Sequence, residues 1–238
     1  MKNKELIYMD NQRIEIIGGG MQEIIRNFAE ENHIDIIKVV DITALSVEEN
    51  RGFSYAILLV KVLPKEYIDK LNHEKETDHT FFLSYEIFNK TDELADELAT
   101  IIQEKGYKAI SQSENAIDLR GEYDEKTKSS ILPHKKIATM SGLGWIGKNN
   151  LLVTEKYGAA ISMCSVLTDM PLNAVKSEIV SSRCGECNLC VKVCPVQAIH
   201  GKKWEAGISR DDIVDVYKCI TCLKCLAGCR YSISYSRN

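Results

Sequence analysis

The chain has 238 residues, of which 45% are hydrophobic and 27% are charged, and its formal net charge is −4. This composition is typical of a globular protein and excludes a disordered or fibrous chain. The net negative charge argues against a broad, non-specific nucleic-acid surface, although a local basic patch remains compatible with it. The length suits one large domain, or a domain followed by a small module.

The first twelve residues contain no apolar stretch and no cleavage-site pattern, so we predict no signal peptide. The longest apolar run, residues 55–63, is interrupted by Lys61 and is too short to span a bilayer. We therefore expect a cytoplasmic protein with no membrane association. The nine cysteines could indicate a secreted disulfide scaffold, but their spacing, described below, favours a reducing compartment.

Up to residue 111 the sequence alternates between helical and strand patterns. Apolar residues recur at helical spacing in Met21–His33 and in Tyr85–Tyr107, where Gly106 is placed to end the second helix. Such alternation predicts a layered domain of α/β or α+β type. The predicted strands in this part are Ile34–Val40, Ser54–Leu63 and Lys108–Ser111.

Residues 112–131 are mostly polar and charged, and we predict that they form a long surface loop. A short helix is predicted over Pro133–Met140, and the turn-rich segment SGLGWIGKNN (residues 141–150) follows it. Two further strands are predicted at Leu151–Thr154 and Ala159–Leu167.

We divide the chain into an α/β-type domain over residues 1–178 and a second module over residues 179–238. Pro171 marks the approach to the end of the first domain. The predicted fold class for the whole chain is α+β, because the second module has a different organisation, which its cysteines reveal.

Eight of the nine cysteines lie in two motifs of identical spacing. The segment CGECNLCVKVCP begins at Cys184, and the segment CITCLKCLAGC begins at Cys219. Each motif reads C-x2-C-x2-C-x3-C, and each cysteine of the second lies 35 residues after its counterpart in the first. This register indicates an internal duplication. The remaining cysteine, Cys164, lies in an apolar run and is predicted to be a buried, unreactive thiol.

The spacing within each motif predicts two [4Fe–4S] clusters. Three cysteines separated by two residues can wrap a loop around one cubane, and the fourth begins a helix that points away and ligates the other cluster. A structural zinc site is the alternative, but zinc does not account for the third cysteine of each motif or for the Cys-Pro pair. The predicted ligand sets are Cys184, Cys187, Cys190 and Cys229 for one cluster, and Cys194, Cys219, Cys222 and Cys225 for the other.

The glycine-rich segment at residues 141–150 has the composition of a ligand-binding loop. Its glycines let the backbone approach a ligand closely, Trp145 offers a flat face, and Lys148 with two asparagines supplies hydrogen-bond donors. A tight connection between a helix and a strand would have the same composition, so the residues alone leave both interpretations open.

The order HK-x-x-A-x-x-x-GLGW-x-GK, a strand, LTD-x-PL and then C-x2-C-x2-C-x3-CP resembles the epoxyqueuosine reductase family, which is related to reductive dehalogenases. The resemblance covers about residues 80–230. It implies a cobalamin-binding reductase domain followed by a bacterial-type ferredoxin module with two clusters. It also implies that the cofactor is contacted by Gly142, Leu143, Gly144, Trp145, Gly147 and Lys148.

The chain departs from the family pattern in three respects, one of which is a compact spacer without a large insertion between the two cysteine motifs. It ends nine residues after Cys229, so we expect a short form without the C-terminal helical repeats of the tRNA-modifying members. The aspartate that serves as the family's catalytic acid aligns with Lys128, and Asp124 or Asp118 is the nearest substitute. We name Asp124 and His134, which lies just before the glycine-rich segment, as the candidate proton donors.

The sequence thus predicts an iron–sulfur oxidoreductase that takes electrons from a low-potential donor such as a ferredoxin or a flavodoxin. The clusters would pass these electrons to a reaction centre in the first domain, and the most specific version is a cobalamin-dependent reductase. One alternative is a non-catalytic electron carrier or reductive activator of a partner protein. The other is a tRNA epoxyqueuosine reductase, with tRNA as its partner. The sequence leaves the substrate open.

Overall fold

The computed structural model describes residues 20–73, 78–174 and 179–238, so the signal-peptide prediction for residues 1–12 lies outside the described residues. The helices are α1 (Gly20–Glu31), α2 (Val47–Asn50), α3 (Lys65–His73), α4 (Asp78–Glu104), α5 (Glu114–Leu119), α6 (His134–Met140), α7 (Leu189–Val193), α8 (Lys224–Ala227) and α9 (Arg230–Arg237). The strands are β1 (Ile36–Asp41), β2 (Tyr55–Val62), β3 (Ala109–Ser111), β4 (Tyr123–Asp124), β5 (Ser129–Ser130), β6 (Trp145–Ile146), β7 (Leu152–Val153) and β8 (Ile161–Thr168).

A four-stranded antiparallel sheet, in the order β1-β2-β8-β3, forms the centre of the N-terminal part. Strand β2 is an almost continuous apolar run because both faces of the sheet are covered. Ile57 and Leu59 pack in the core that α1 and α4 cover, whereas Leu58 and Val60 pack in the core that contains α6. The predicted layered α+β fold is confirmed, with strands that pair antiparallel.

The predicted long loop at residues 112–131 is wrong. This segment contains α5, whose N-cap Ser113 accepts a hydrogen bond from the Ala116 N–H, and the β4–β5 hairpin. The hairpin turn is closed by Asp124, whose Oδ1 accepts hydrogen bonds from Lys126 N and Thr127 N. Capping and turn-closing side chains stabilise these short elements, which therefore need no apolar periodicity. The polar composition of the segment consequently gave no indication of a helix or a hairpin. Helix α3 was also absent from the sequence prediction.

The cysteine-containing module packs against α3 through α8 and α9, which agrees with a bacterial-type ferredoxin module following the first domain. Trp145, Leu226 and Ala227 share the apolar cluster at this junction. The module has a small core of its own around Ala198 and Ile199. Helices α7 and α8 begin 35 residues apart, so the duplication seen in the cysteines extends to the local structure. The division at residue 178 remains a prediction, and that residue is outside the described ranges.

The turn before β8 supplies a test of how tightly the two parts are packed. At Gly158, where φ is +61°, an added Cβ would lie 2.2 Å from Ser232 N in α9, whereas at Gly52, where φ is +79°, it would meet nothing within 4 Å. We expect Gly52→Ala to lower the free energy of unfolding by about 1–2 kcal/mol through the left-handed conformation alone. Gly158→Ala should cost about 1–3 kcal/mol more, because α9 must also move. Urea unfolding measures both, and equal losses would contradict a tight contact.

Candidate iron–sulfur and cofactor sites

Four cysteines from both motifs form the first thiol group: Cys184, Cys187, Cys190 and Cys229. In the metal-free chain, the pKa of Cys190 is raised to about 11. Burial is the largest cause, and repulsion from Cys229, Cys184 and Cys187 adds to it. Cys184 and Cys229 also pack against the same apolar cluster, so Cys229 lies beside the start of the first motif. Cys229 is the N-cap of α9 without a side-chain capping hydrogen bond, and burial raises the pKa of its thiol.

The second thiol group comprises the other four motif cysteines: Cys194, Cys219, Cys222 and Cys225. Burial raises the pKa of Cys225 to about 12, and the neighbouring thiols that raise it further are Cys190, Cys219, Cys222 and Cys194. The sulfur of Cys194 accepts a hydrogen bond from Ala198 N at 3.3 Å. Cys194 ends α7 and precedes a turn, so the prediction that the fourth cysteine begins a helix is correct for Cys229 and wrong for Cys194.

The backbone of the cysteine loops suits cubane binding. Gly185, Thr221 and Leu223 have φ values of +53°, +55° and +56°, in the left-handed region. This conformation is unfavourable for a β-branched residue such as Thr221, and strain of this kind concentrates at functional sites. Alternating backbone conformations turn successive N–H groups inward, which is how many proteins surround iron–sulfur clusters. The thiols and the loops together fit the group that the sequence predicts.

A single metal ion makes a different demand on the same side chains. Within the described ranges, no three His, Cys, Asp or Glu side chains converge closely enough to hold one ion. Ligands of a cubane stand farther apart, because each thiolate binds a different iron atom. The ligand roles of the eight cysteines remain a prediction.

The glycine-rich segment faces the module on one side and a cavity on the other, because successive residues of a strand point in opposite directions. Trp145 is 1% exposed, its ring centroid lies 5.1 Å from that of Tyr231, and the Arg183 guanidinium lies 5.6 Å from it. Its neighbour Ile146 lines the cavity. Trp145 therefore packs towards the first thiol group, while Ile146 points into the cavity on the opposite side of the strand.

Lys148 and the following asparagine connect this segment to both cysteine loops. The Lys148 Nζ donates to Asn188 Oδ1 at 2.8 Å, within the first motif, and Asn149 Nδ2 donates to the Cys225 carbonyl at 3.0 Å, within the second. Both side chains are buried. Lys148 therefore holds a cysteine loop in place, which is a structural role next to the clusters.

The remaining residues of the segment have local packing roles. Gly142, with φ of +68°, ends α6, and Leu143 packs against the core on the α6 side of the sheet. A Cβ at Gly144 would lie 2.2 Å from Val153 O, and one at Gly147 would lie 2.8 Å from Val153 Cγ2. The two glycines therefore permit the close β6–β7 pairing. Contact of these residues with a cofactor remains a prediction.

A cavity of about 880 Å³ lies between α6, the β4–β5 hairpin and residues 204–211 of the module. Its volume falls within the range of roughly 300–1,000 Å³ that is typical of ligand sites. The module holds the hairpin over this cavity, since Tyr217 Oη donates to Lys126 O at 2.6 Å and Arg210 Nη1 donates to Lys128 O at 2.9 Å. Its apolar walls include Leu45, Met140, Ile146, Ile179, Trp204 and Val216.

One cation in this cavity has an unusual environment. Lys135 Nζ donates to the carbonyl and side-chain oxygens of Asn150, at 3.1 and 2.9 Å. The pKa of Lys135 is lowered to about 8, chiefly by burial and secondly by repulsion from the nearby Arg210. Apolar walls together with cationic side chains such as Lys136 and Arg210 fit a flat apolar macrocycle that carries an anionic side arm. Cobalamin, with its corrin ring and phosphodiester, is a group of this kind, so the lining fits it.

His134 lines a different, acidic cavity of about 500 Å³, with Asp92, Glu114 and Asp118. Its Nδ1 lies 2.8 Å from Ser165 Oγ. Burial lowers the pKa of His134 to about 4, so the imidazole is neutral near pH 7 and is a poor proton donor. His134 and Ile146 of the glycine-rich segment thus line two adjoining cavities, which share Tyr123, Lys128 and Ser130.

Asp124 is exposed and lines neither of these two cavities. The N–H of Lys126, with further donors from Thr127, holds the pKa of its carboxyl group below the usual value. An ionised, solvated carboxylate that closes a turn is not placed to deliver a proton. The geometry thus argues against Asp124 as the catalytic acid and assigns it a role in the hairpin.

Lys135, Ile146 and Trp204 line the cavity but were not predicted from the sequence, whereas Asn150 belongs to the predicted ligand-binding segment. The spacing of residues in α6 could have indicated part of the cavity lining, because Lys135, Lys136, Thr139 and Met140 share one face of that helix. Trp204 comes from the spacer between the cysteine motifs, and no local pattern connects that spacer to α6. Cys164 is fully buried, as expected.

The fold and the thiol groups define an iron–sulfur protein of α+β type. Residues 183–233 match the family described as "4Fe-4S dicluster domain". Over 73 residues the chain is 42% identical to the epoxyqueuosine reductase of Pseudomonas aeruginosa, and this segment covers 31% of the chain and 20% of that relative. The expected resemblance to epoxyqueuosine reductases is confirmed, and the match spans about a fifth of the relative's length.

Solved structures extend the similarity to most of the chain. The catabolic reductive dehalogenase NpRdhA superposes with a TM-score of 0.67 at 17% identity, covering 91% of this chain and 33% of the dehalogenase. Another solved structure of a reductive dehalogenase, described in terms of B12-dependent dehalogenation, gives a TM-score of 0.62 at 18% identity, with coverages of 91% and 31%. At this level of identity the likeness concerns the fold. Among the residues described, no helix is both long and apolar enough to cross a membrane.

The lowered pKa of His134 predicts a pH-dependent stability. Between pH 6.5 and about 4 the unfolded chain binds a proton at His134 that the folded chain does not, so stability decreases as the pH falls through this window. Replacing His134 by Asn removes this contribution. Between pH 7 and pH 5 the variant should lose about 1–2 kcal/mol less stability than the parent, as measured by urea unfolding.

The matched control for this measurement is His73→Asn, at an exposed position in α3. The His134→Asn variant should differ from this control in its pH dependence, because the control retains the buried imidazole of His134. Identical pH dependence in the parent and in His134→Asn would show that His134 is not held neutral in the folded state.

Proposed function

We propose that the chain is an iron–sulfur oxidoreductase that passes low-potential electrons through two [4Fe–4S] clusters to a cofactor in the 880 Å³ cavity. The observation that carries the proposal is the crossing of the two fourth cysteines: Cys229 packs with Cys184 against one apolar cluster, and Cys194 packs with Cys225 against another, which Cys190 also contacts. A structural zinc site does not need the fourth cysteine of a motif to bind at a second site, whereas in two-cluster ferredoxins the fourth cysteine ligates the other cluster.

The cofactor that we propose for the cavity is cobalamin. It is supported by the fold shared with a B12-dependent dehalogenase and by apolar walls beside the Lys135 ammonium. Bound there, cobalamin would supply a cobalt centre that donates electrons to the substrate. Met140 and Ile146 exclude water from the cavity wall. Lys135, with a pKa of about 8, is mostly protonated at pH 7 and gives up its proton more readily than an ordinary lysine, so we assign it as the proton donor.

The iron–sulfur module implies an electron-carrier partner, and we place its docking site at the second thiol group. Cys219 is exposed there, and the adjacent Tyr217 and Ile220 are 66% and 54% exposed. Lys218 pairs with Asp215 at 3.3 Å, so Lys224 is the cation that we assign to contact an acidic carrier such as a ferredoxin or a flavodoxin. The thiolates must stay reduced before cluster assembly, which suits the cytoplasmic location that we propose.

The non-catalytic carrier remains the second candidate, and the exposed second thiol group is the observation that favours it. A carrier needs only the clusters and a docking surface, whereas the reductase needs a cofactor in the cavity, so cobalamin binding separates the two. The tRNA alternative draws on the name of the epoxyqueuosine reductase relatives, which match over about a third of this chain. The substrate of the proposed reductase is left open.

Iron analysis tests the crossed ligand sets. Anaerobically prepared protein should contain about eight iron and about eight sulfide ions per chain, because each cubane holds four of each. Cys187→Ala removes a ligand of the first cluster alone, so about half of the iron should remain. Cys164→Ala is the control and should retain all of it. Zinc in place of iron, or full iron retention in Cys187→Ala, would contradict the ligand assignment.

A titration with cobalamin tests the cavity. The parent should bind it saturably, with a change in the visible spectrum. Ala206 is exposed at the rim, so Ala206→Trp should narrow the cavity and weaken binding at least about tenfold, or 1.4 kcal/mol. Ala206→Ser serves as the control, and iron content should be unchanged in both. No binding by the iron-loaded parent would reject the cobalamin assignment and favour the carrier.

A further inference from the structure

The indole N–H of Trp145 is a buried donor with no acceptor among the described residues. The side chain is 1% exposed, and its Nε1 atom has no hydrogen-bond partner. Native proteins rarely leave such a donor unpaired, because its loss of hydration is not compensated. An orphaned donor of this kind points to an acceptor that the polypeptide itself does not supply.

The surroundings of Trp145 indicate where that acceptor lies. Arg183, which directly precedes Cys184, places its guanidinium over the ring, and Tyr231, two residues after Cys229, meets the ring in a T-shaped contact. The side chains of Cys184 and Cys229 pack against the same apolar cluster as Trp145. The indole is thus enclosed by the immediate neighbours of two cysteines of the first thiol group, one from each motif.

These contacts disfavour stacking of Trp145 on a corrin ring. A stacked indole needs an open face, but this ring is buried, with Arg183 over it and Tyr231 against it. The N–H bond lies in the plane of the ring, where it remains available to a hydrogen-bond acceptor. Thiolate and sulfide sulfur atoms of a [4Fe–4S] cluster are acceptors of this type, and their hydrogen bonds influence the reduction potential.

We propose that Trp145 donates its indole N–H to a sulfur atom of the cluster held by the first thiol group and thereby raises the reduction potential of that cluster. Reduction adds negative charge to the cluster sulfurs, so the hydrogen bond is stronger in the reduced state than in the oxidised state. The inference rests on the proposed pair of [4Fe–4S] clusters and assigns Trp145 as a tuning residue. It makes the first cluster a better electron acceptor than the same cluster without the bond.

The test compares two tryptophan variants of the iron-loaded protein. Trp145→Phe keeps an aromatic ring and removes the N–H, and Trp204→Phe makes the same change at the cavity wall. In an anaerobic redox titration followed by EPR, Trp145→Phe should make one cluster about tenfold harder to reduce, a shift of 59 mV to lower potential for one electron. The other cluster, and both clusters of Trp204→Phe, should keep the parent potentials. Parent potentials for both clusters of Trp145→Phe would overturn the proposal.

A second measurement uses the parent and does not depend on the folding of a variant. Protein labelled with indole-¹⁵N tryptophan should show a hyperfine coupling between one indole nitrogen and a reduced cluster. Trp204→Phe should retain this coupling. Its absence in a parent that contains both clusters would overturn the inference and leave the proposed function intact. A parent that binds no iron would instead reject the proposed function.

Discussion

The exchange of the fourth cysteine between the two motifs is the constraint on which the module depends. Cys229 packs with Cys184, and Cys194 packs with Cys225, so in the proposed ligand assignment neither motif forms a complete set by itself. The loops must therefore be assembled together, and the packing of α7 against α8 brings them together. In the metal-free chain the gathered thiols repel one another when ionised, and iron binding would replace that repulsion with sulfur–metal bonds.

The first domain contributes directly to this assembly. Lys148 and Asn149 each hydrogen-bond one cysteine loop, and Trp145 packs between residues that flank two of the cysteines. These three residues are neighbours in one short segment, so a single turn of the chain reaches both thiol groups. The same segment places Ile146 on the cavity wall. Any cofactor in the cavity would thus lie one strand thickness away from the residues that support the cysteine loops.

The division of polar groups between two cavities determines which side chains can take part in chemistry. Lys135 and His134 are adjacent in α6, yet they line different cavities, because adjacent helical residues point about a quarter of a turn apart. Burial lowers both pKa values, which favours the neutral form of each side chain. The lysine remains largely charged at pH 7 and the histidine does not, so the lysine is the better acid. The role assigned to His134 from its sequence neighbourhood therefore has no geometric support.

The sequence by itself determined the features that depend on spacing. The 35-residue repeat of the cysteines, the apolar runs of β2 and β8 and the helical periods of α1 and α4 are all local patterns, and the structure contains the corresponding elements. The tertiary structure alone decided the antiparallel order of the sheet, the cavity between α6 and residue Trp204, and the burial of Trp145. Each of these depends on which distant segments meet, and the pairing of distant segments is set by packing in three dimensions, which no local pattern of residues encodes.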